Sequence, residues 1–332
     1  MVEPRKKHLE LLLKMLITLL LAWAIYRQVF SRDNAAELWN TFKLNFQYPG
    51  IIWLMFAVGL VPLNVALEAI KWNNLVRSFA KLSFWQTFKA ILAGTTIGIF
   101  TPNRVGEYGG RVLFVEAKDN WKAVIATMVG SLSQLLVLLS VGLLGAAYFL
   151  KNYEFEPYLL VSALCLGAIL TVILFFCFFN IDLVIPLAKR LPFIHNLKKY
   201  LQHLVVLKKY RSRELATALA FSFFRYLTYS TQYYLLLQFY DVKAPWVEGM
   251  SGIATIFLVQ ASIPLPPVMG LLARGELALL IWGHFSDDQT GILASSFTLF
   301  VINIAFPSLL GFVFIVQTNI LKSLGFENGN NS

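Results

Sequence analysis

The chain has 332 residues, of which 58% are hydrophobic and only 14% are charged, and its mean hydropathy is +0.65. Because soluble domains carry about 25% charged residues, this composition excludes an ordinary soluble protein and predicts an integral membrane protein. The net charge of +10 is compatible with a nucleic-acid partner. However, the basic residues lie beside apolar segments, where they indicate the orientation of the chain in the membrane and contact with anionic lipid. We therefore expect no nucleic-acid partner.

The apolar segments predict helices, because backbone groups in lipid must bond within their own segment and about 20 residues cross the hydrocarbon core. We predict an all-α polytopic membrane protein with about six full spans and two broken, re-entrant hairpins, about eight membrane helices in all. The predicted spans are Leu9–Phe30, Gly50–Ile70, Lys122–Leu150, Tyr158–Asn180, Glu214–Tyr240 and Thr290–Gln317. A single integral membrane domain then covers residues 1–322, and residues 323–332 form a polar tail that we expect to be disordered.

The first span follows three basic residues, as in a signal peptide, but Lys14 interrupts it and no small-residue cleavage site follows. We therefore expect an uncleaved span. The segment after span two contains basic residues and no acidic residue. The segment from Asp182 to Arg213 contains eight basic residues and one acidic residue. The positive-inside rule places both segments and both termini in the cytoplasm, and we expect a bacterial inner membrane. The first of these segments contains Lys71, Arg77, Lys81 and Lys89.

Two apolar segments are too short to cross a bilayer comfortably, and each is broken by proline. We predict short helices over Trp85 to Thr101 and Val247 to Ile263. Glycines after each break permit turns, and a linker over Gly270 to Glu276 precedes a return to the outer face. The expected helix breaks are Pro102, Gly106, Pro264, Pro266, Pro267 and Gly275. Since the hairpins enter from opposite sides, residues of about 50–150 and about 214–318 are predicted to form an inverted repeat.

Charged residues follow both breaks, and an isolated charge at the bilayer centre costs at least about 2.5 kcal/mol. We expect Arg104, Arg111 and Arg274, with Asn103, to hold an anionic head group, because arginine donates paired bonds to phosphate. Glu107 and Glu276 would position the arginines or carry protons. In the alternative interpretation, residues three and four apart, such as Arg104 with Glu107, only neutralise one another. These residues lie in TPNRVGEYGGR, at 101 to 111, and in Arg274-Gly275-Glu276.

Other polar residues in the spans are weaker candidates. Arg225 and Glu68 are further candidates for the site, and the alternative for Glu68, which lies near a span end, is that it only reaches the interface. Single amides in spans most often bond between helices; they are Asn64, Gln134, Gln232, Gln260 and Asn303. Residues of about 190–213 are predicted to form a cytoplasmic amphipathic helix, either on the inner leaflet or as a solvated loop helix. The four histidines lack ligand spacing, so no metal or cofactor is expected.

The sequence resembles the transmembrane, flippase-like domain of lysylphosphatidylglycerol synthases and the stand-alone membrane proteins that share this domain. The resemblance lies in three features: the motif TPNRVGEYGGR at 101 to 111, the long span after it, and the second proline-rich break before Arg274-Gly275-Glu276. The resemblance implies movement of phospholipid between leaflets, with relatives linked to lipid-linked sugar pathways. The second break, SIPLPPVMGLLARGE, departs from the more glycine-rich pattern expected. Because the chain ends soon after the last span, we do not expect the aminoacyl-transfer activity of the synthases.

The leading hypothesis is a lipid translocase that moves an anionic phospholipid or a lipid-linked phosphate between leaflets. One alternative is a membrane-embedded enzyme of lipid or glycolipid biosynthesis, with Glu107 or Glu276 as general base. Another is an accessory protein that recruits partners through the basic residues of 189–213. The loops lack a paired-acid metal motif, a nucleotide-binding loop and a Ser-His-Asp set, which favours the translocase. The lipid, the energy source and the oligomeric state are left open by the sequence.

Overall fold

The fold is given by a computed structural model, which describes residues 11–17, 19–20, 23, 35–46, 50–151, 157–181, 206–208, 210–264, 267, 270–323 and 325. Within these ranges the secondary structure is helical and contains no strand. This confirms the predicted all-α class. The predicted amphipathic helix of about 190–213 lies largely outside the described residues, as do most of the first span and nearly all of the polar tail.

Eleven helices are labelled here in chain order. They are α1 (Ala35–Asn45), α2 (Ile51–Val76), α3 (Phe84–Gly98), α4 (Gly106–Val112), α5 (Asn120–Lys151), α6 (Pro157–Phe179), α7 (Ser212–Phe239), α8 (Trp246–Ala261), α9 (Gly270–Trp282), α10 (Gln289–Gln317) and α11 (Ile320–Ser323). Residues 11–17 are also helical. Short 3₁₀ turns at Pro102–Arg104 and Ala117–Asp119 flank α4, and a π turn at Val301–Ala305 interrupts α10.

Among the described residues, four helices are long and apolar enough to cross a membrane: α2, α5 with its preceding 3₁₀ turn, α6 and α10. Helix α7 is also long, with 28 residues, but is less apolar because it carries Arg225 and several hydroxyl and amide groups. Helix α6 is almost entirely exposed, as expected for a span that faces lipid. Leu13 and Ile17, from the first predicted span, pack beside Ile315 and Ile320 near the end of α10.

Residues 35–46, predicted as part of a connection, contain helix α1. Leu38 of α1 is buried, whereas Trp39 and Leu44 are 56% and 70% exposed. The ammonium group of Lys43 lies 5.3 Å from the Trp39 ring. A helix with one apolar face free and a tryptophan beside a lysine is typical of a segment that lies at the membrane interface.

The first hairpin consists of α3, residues 99–105 and α4. The capping box of Ser83 and Gln86 starts α3, and the helix ends at Gly98. The prediction that it continues to Thr101 is wrong, because Thr101, before Pro102, has the extended backbone expected of a residue preceding proline. Gly110 then approaches Ala93 and Gly94, so α4 runs back antiparallel along α3.

The second hairpin consists of α8, residues 262–269 and α9. A Cβ atom on Gly252 in α8 would lie 2.9 Å from the Trp282 ring, so the end of α9 returns to the beginning of α8. The predicted linker over Gly270 to Glu276 is wrong, because these residues are helical. Gly275 therefore lies within α9 and not at a helix break. In α9 it packs against Leu293. Pro264 is exposed and Pro267 is buried at the tip, and Pro266 lies outside the described residues.

The two hairpins open at opposite ends of the helix bundle. At one end, Trp85 of α3 contacts Phe314 of α10, and Tyr210 donates to the Leu75 carbonyl. At the other end, Phe149 of α5 contacts Phe285, and Glu37 accepts a hydrogen bond from Thr290. The beginning of α3 lies at the first end, whereas the α7–α8 and α9–α10 connections lie at the second. This geometry supports the inverted repeat, which stays a prediction.

We predict that cysteines placed at Lys81 and Asp287 react with a membrane-impermeant maleimide from opposite faces of sealed vesicles. Both side chains are exposed, one beside each hairpin opening. The substitutions belong in a background where Cys165 and Cys177, which are exposed on α6, are changed to alanine. Reaction of both positions from one face would contradict the arrangement of the hairpins.

Candidate functional site

A polar cluster lies halfway along three long helices. Asn64 stands near the midpoint of α2, Arg225 near the midpoint of α7, and Asn303 near the midpoint of α10. Asn64 donates to the side chain of Asn303 over 2.9 Å and accepts from Nε of Arg225, also over 2.9 Å. Because helices of this length are long enough to span the hydrocarbon core, we expect these side chains to lie near the bilayer midplane.

Asn303 belongs to the π turn of α10. Pro307 follows two residues after this turn, and it provides no N–H for the carbonyl four residues earlier, so the regular helical pattern is interrupted there. Single π turns within α-helices occur frequently at functional sites. The turn sets the position of the Asn303 side chain and thereby links α10 to the polar groups of α2 and α7.

Glu68 is the carboxylate at the centre of the cluster. Its oxygens lie 2.7 Å from Nζ of Lys71, 3.0 Å from a guanidinium nitrogen of Arg111 and 3.1 Å from one of Arg225. The Glu68 side chain is 5% exposed. Of the two interpretations of Glu68, the one in which it only reaches the interface is wrong, because three buried or half-buried cations hold its carboxylate inside the bundle. One carboxylate joins α2, α4 and α7.

Lys71 was assigned by sequence to a cytoplasmic, orientation-setting segment, but its side chain is only 1% exposed. Its ammonium group also donates to the Gly130 carbonyl over 3.2 Å and to the Ser222 hydroxyl over 3.3 Å. The ammonium group thus has three partners, the number of its donors. The spacing of Glu68 and Lys71, three residues apart on one helix, is the sequence signal that could have indicated this buried pair.

Glu107 continues the cluster into the first hairpin. Its carboxylate pairs with Arg104 on one side and with Arg111, over 2.7 Å, on the other. Both predicted ion pairs are present, and Arg111 also contacts Glu68. The Arg111 guanidinium lies 6.0 Å from the centre of the Trp72 ring, which adds a cation–π contact.

The tip of the first hairpin has an unusual backbone. Asn103 and Arg104 have φ angles of 49° and 58°, in the left-handed region that few residues other than glycine adopt. The Thr101 hydroxyl accepts a hydrogen bond of 2.7 Å from the Gly106 amide and closes the turn. The turn leaves Asn103 exposed and points the chain of Arg104 back toward Glu107. Strained residues of this kind cluster at ligand-binding sites.

Arg274 is the cation of the second hairpin. It lines a small cavity that has room for about one water molecule. The other lining residues include Tyr229, Tyr233, Gln260 and Ser296. Arg104 lies within electrostatic range of Arg274, but the lining of this cavity does not include Arg104. No carboxylate pairs with Arg274 among the described residues. Glu276, on the same helix, is exposed and is not brought to the cluster.

Two of the remaining amides, Gln232 and Gln134, bond between helices as predicted, whereas Gln260 lines the cavity beside Arg274. Gln232 donates to the Ala57 carbonyl over 2.9 Å, and Gln134 donates to the Ser222 carbonyl over 3.4 Å. Within the part of the chain that the structure describes, no group of three or more His, Cys, Asp or Glu side chains is arranged to hold a metal ion.

The cations differ in how far they are exposed. The side chains of Arg104 and Arg225 are 32% and 26% exposed, whereas those of Arg111 and Lys71 are 4% and 1% exposed. All four cations contact a carboxylate, Arg104 through Glu107 and Arg225 through Glu68, but only Arg104 and Arg225 remain partly exposed.

The fold defines a polytopic helical membrane protein in which a buried cluster of charged side chains joins the first hairpin to α2 and α7. The chain matches the family described as "Lysylphosphatidylglycerol synthase TM region" over residues 11–311, and it belongs to that family. The resemblance inferred from the sequence is confirmed, and it makes this a membrane protein linked to lipid metabolism or transport. No curated protein and no solved structure matches the chain.

Proposed function

We propose that this protein is a lipid translocase that binds an anionic head group between its two hairpins and moves the lipid between leaflets. The observation that carries the proposal is the excess of cations over carboxylates at mid-depth. In a bilayer such an excess is costly unless an anion neutralises it. Phosphate is the anionic group common to phospholipids and lipid-linked phosphates, and arginine binds it with paired hydrogen bonds.

The exposure of Arg104 and Arg225 suits a lipid substrate. A head group reaching these arginines could leave its hydrocarbon tails in the surrounding bilayer, so the protein needs to shelter only the polar group. Asn103, Val105 and Pro264 at the two tips are also exposed, which leaves an approach to the site from outside the bundle. The cavity beside Arg274 is too small for a phosphate group, so binding requires the tips to separate.

Glu107 provides an internal anion while the site lacks substrate. It pairs with Arg104 and Arg111, both of which would otherwise be uncompensated inside the bundle. A phosphate that binds Arg104 competes with this carboxylate, and release of the phosphate allows the Arg104–Glu107 pair to form again. Because the hairpins open at opposite ends, movement at one tip or the other would expose the site to one leaflet at a time.

The geometry favours the translocase over the enzyme. A general base needs a carboxylate free to accept a proton, but Glu107 is held by two guanidinium groups. Glu276, the other candidate base, is exposed and lies away from the arginine cluster. Neither carboxylate is placed beside a second catalytic group among the described residues.

We predict that Arg104→Gln and Arg274→Gln each slow translocation of a fluorescent anionic phospholipid in proteoliposomes by about tenfold or more. A charge-assisted hydrogen bond contributes about 1.5–3 kcal/mol, and each 1.4 kcal/mol corresponds to a factor of ten. Lys118→Gln is the matched control, because Lys118 forms an exposed pair with Glu116 outside the cluster. Equal rates for all three variants and the wild type would contradict the assigned site, and no translocation by folded wild-type protein would contradict the function.

A further inference from the structure

We infer that the lipid substrate carries a phosphomonoester or another head group with at least two negative charges, rather than a phosphodiester with one. This inference rests on the proposed function and names its substrate class. The described part of the cluster contains five cations, Lys71, Arg104, Arg111, Arg225 and Arg274, and two carboxylates, Glu68 and Glu107. With every group ionised, three positive charges remain uncompensated.

Neither carboxylate has capacity to spare. Glu68 already contacts three cations, and Glu107 contacts two. Arg111 is shared between the two carboxylates, so it does not add an independent pair. Arg274 contacts neither of them among the described residues. The uncompensated charge therefore lies on the side of Arg274 and of the two partly exposed arginines, Arg104 and Arg225.

The size of the excess distinguishes among head groups. A zwitterionic head group brings no net negative charge, and a cationic one adds to the repulsion. A phosphodiester brings one negative charge and leaves two positive charges without a partner. A phosphomonoester brings about two negative charges near pH 7, since its second pKa is about 6. Because buried uncompensated charge is costly, the more highly charged anion is favoured.

The geometry of the donors points in the same direction. Arg104, Arg225 and Arg274 come from α4's preceding turn, α7 and α9, so they approach the site from three separate elements. A phosphomonoester presents three terminal oxygens, whereas a phosphodiester presents two, and arginine prefers to engage such oxygens in pairs. The monoester therefore has one terminal oxygen for the arginine of each of the three elements.

The test compares lipids that share acyl chains and differ in head group. Purified protein in phosphatidylcholine nanodiscs is titrated with phosphatidic acid, phosphatidylglycerol or phosphatidylethanolamine, and binding is followed by the rise in thermal unfolding temperature. We expect phosphatidic acid to bind at least about tenfold more tightly than phosphatidylglycerol, and phosphatidylethanolamine to cause no shift. Inorganic phosphate is a separate arm. A shift equal to that of phosphatidic acid would show that the site takes the free anion.

A second readout depends on the ionisation of the ligand. On going from about pH 8 to about pH 5 a phosphomonoester gains a proton and loses a negative charge, whereas a phosphodiester does not change. The preference for phosphatidic acid should therefore decrease about tenfold or more over this range. Arg274→Gln should reduce the same preference at the higher pH, and Lys118→Gln should leave it unchanged.

The outcomes separate this inference from the proposed function. Equal binding of phosphatidic acid and phosphatidylglycerol, with both translocated, would overturn the substrate class and leave the translocase intact. A preference for phosphatidic acid that is insensitive to pH and to Arg274→Gln would overturn the role of the excess charge. Absence of binding by all three lipids would overturn both proposals.

Discussion

Glu68→Gln is expected to reduce the free energy of unfolding by about 3–5 kcal/mol, the range measured when one partner of a buried ion pair is removed. The amide keeps nearly the same volume as the carboxylate, so the loss arises from charge rather than from packing. Lys71, Arg111 and Arg225 would lose the carboxylate that they share. Because these cations belong to α2, α4 and α7, the attachment of the first hairpin to the bundle should weaken as well.

Thermal unfolding in a mild detergent measures the effect, and Glu116→Gln is the matched control. Glu116 forms an ion pair of 2.7 Å with Lys118, and both side chains are 75% exposed. Exposed pairs of this kind contribute little to stability, so the same chemical change should have little effect there. Similar unfolding temperatures for the two variants would refute the central role of Glu68.

A double variant separates lost charge compensation from other causes. Lys71→Met removes one cation beside Glu68 and keeps an unbranched side chain of similar length. In combination with Glu68→Gln it should be less destabilising than the sum of the two single changes, because the second change removes a charge that the first left unpaired. Simple additivity of the two effects would show that the residues act independently.

The spans could be predicted because their signal is a property of a continuous stretch. About 20 apolar residues in succession indicate a membrane helix wherever they occur. The bounds of α5, α6, α7 and α10 lie within a few residues of those predicted. Helix α2 begins as predicted but extends six residues further, to Val76. The first hairpin could also be predicted, since Pro102 and the glycines after it act locally on the backbone. Both features depend on residues that are neighbours in sequence.

The central ion cluster could not be predicted in full, because its assembly depends on contacts between distant helices. Lys71 follows an apolar run and precedes further basic residues, a pattern that favours a cytoplasmic loop by the positive-inside rule. Only the Ser222 hydroxyl of α7 and the Gly130 carbonyl of α5 explain why it remains inside. The first half of helix α9, from Gly270 to Glu276, was assigned to a linker for a similar reason. Its glycines and charges favour a linker, but packing of Trp282 against α8 and of Gly275 against Leu293 stabilises the helix.

The cluster also explains why the hairpins are short. Each hairpin must place its tip at mid-depth, and a full span would carry the break past the polar residues of α2, α7 and α10. Arg111 then binds Glu68 from the returning arm of the first hairpin, and Arg274 lies on the returning arm of the second. In both hairpins the outgoing helix is largely apolar, and the returning helix carries the arginine.

Gly110→Ala is expected to disrupt the first hairpin, whereas Gly109→Ala is expected to be tolerated. A Cβ atom at Gly110 would lie 2.5 Å from the Ala93 carbonyl oxygen and 2.6 Å from Cα of Gly94, and both are backbone atoms that cannot rotate away. A Cβ atom at Gly109 would meet nothing within 4 Å. Both glycines lie in α4, where alanine is favoured over glycine by about 1 kcal/mol, so propensity alone predicts a gain at each position.

The contrast between the neighbouring variants isolates the close approach of α3 and α4. If α4 moves away from α3, Arg111 on the next residue moves away from Glu68, so the hairpin and the charge cluster should fail together. Overpacking of a close contact costs about 1–3 kcal/mol or more. We therefore expect Gly110→Ala to reduce the free energy of unfolding by more than about 2 kcal/mol and to abolish translocation. Unfolding temperature and lipid translocation measured on both variants test this coupling. Loss of stability with full translocation would show that the position of Arg111 does not depend on the packing of α3 and α4.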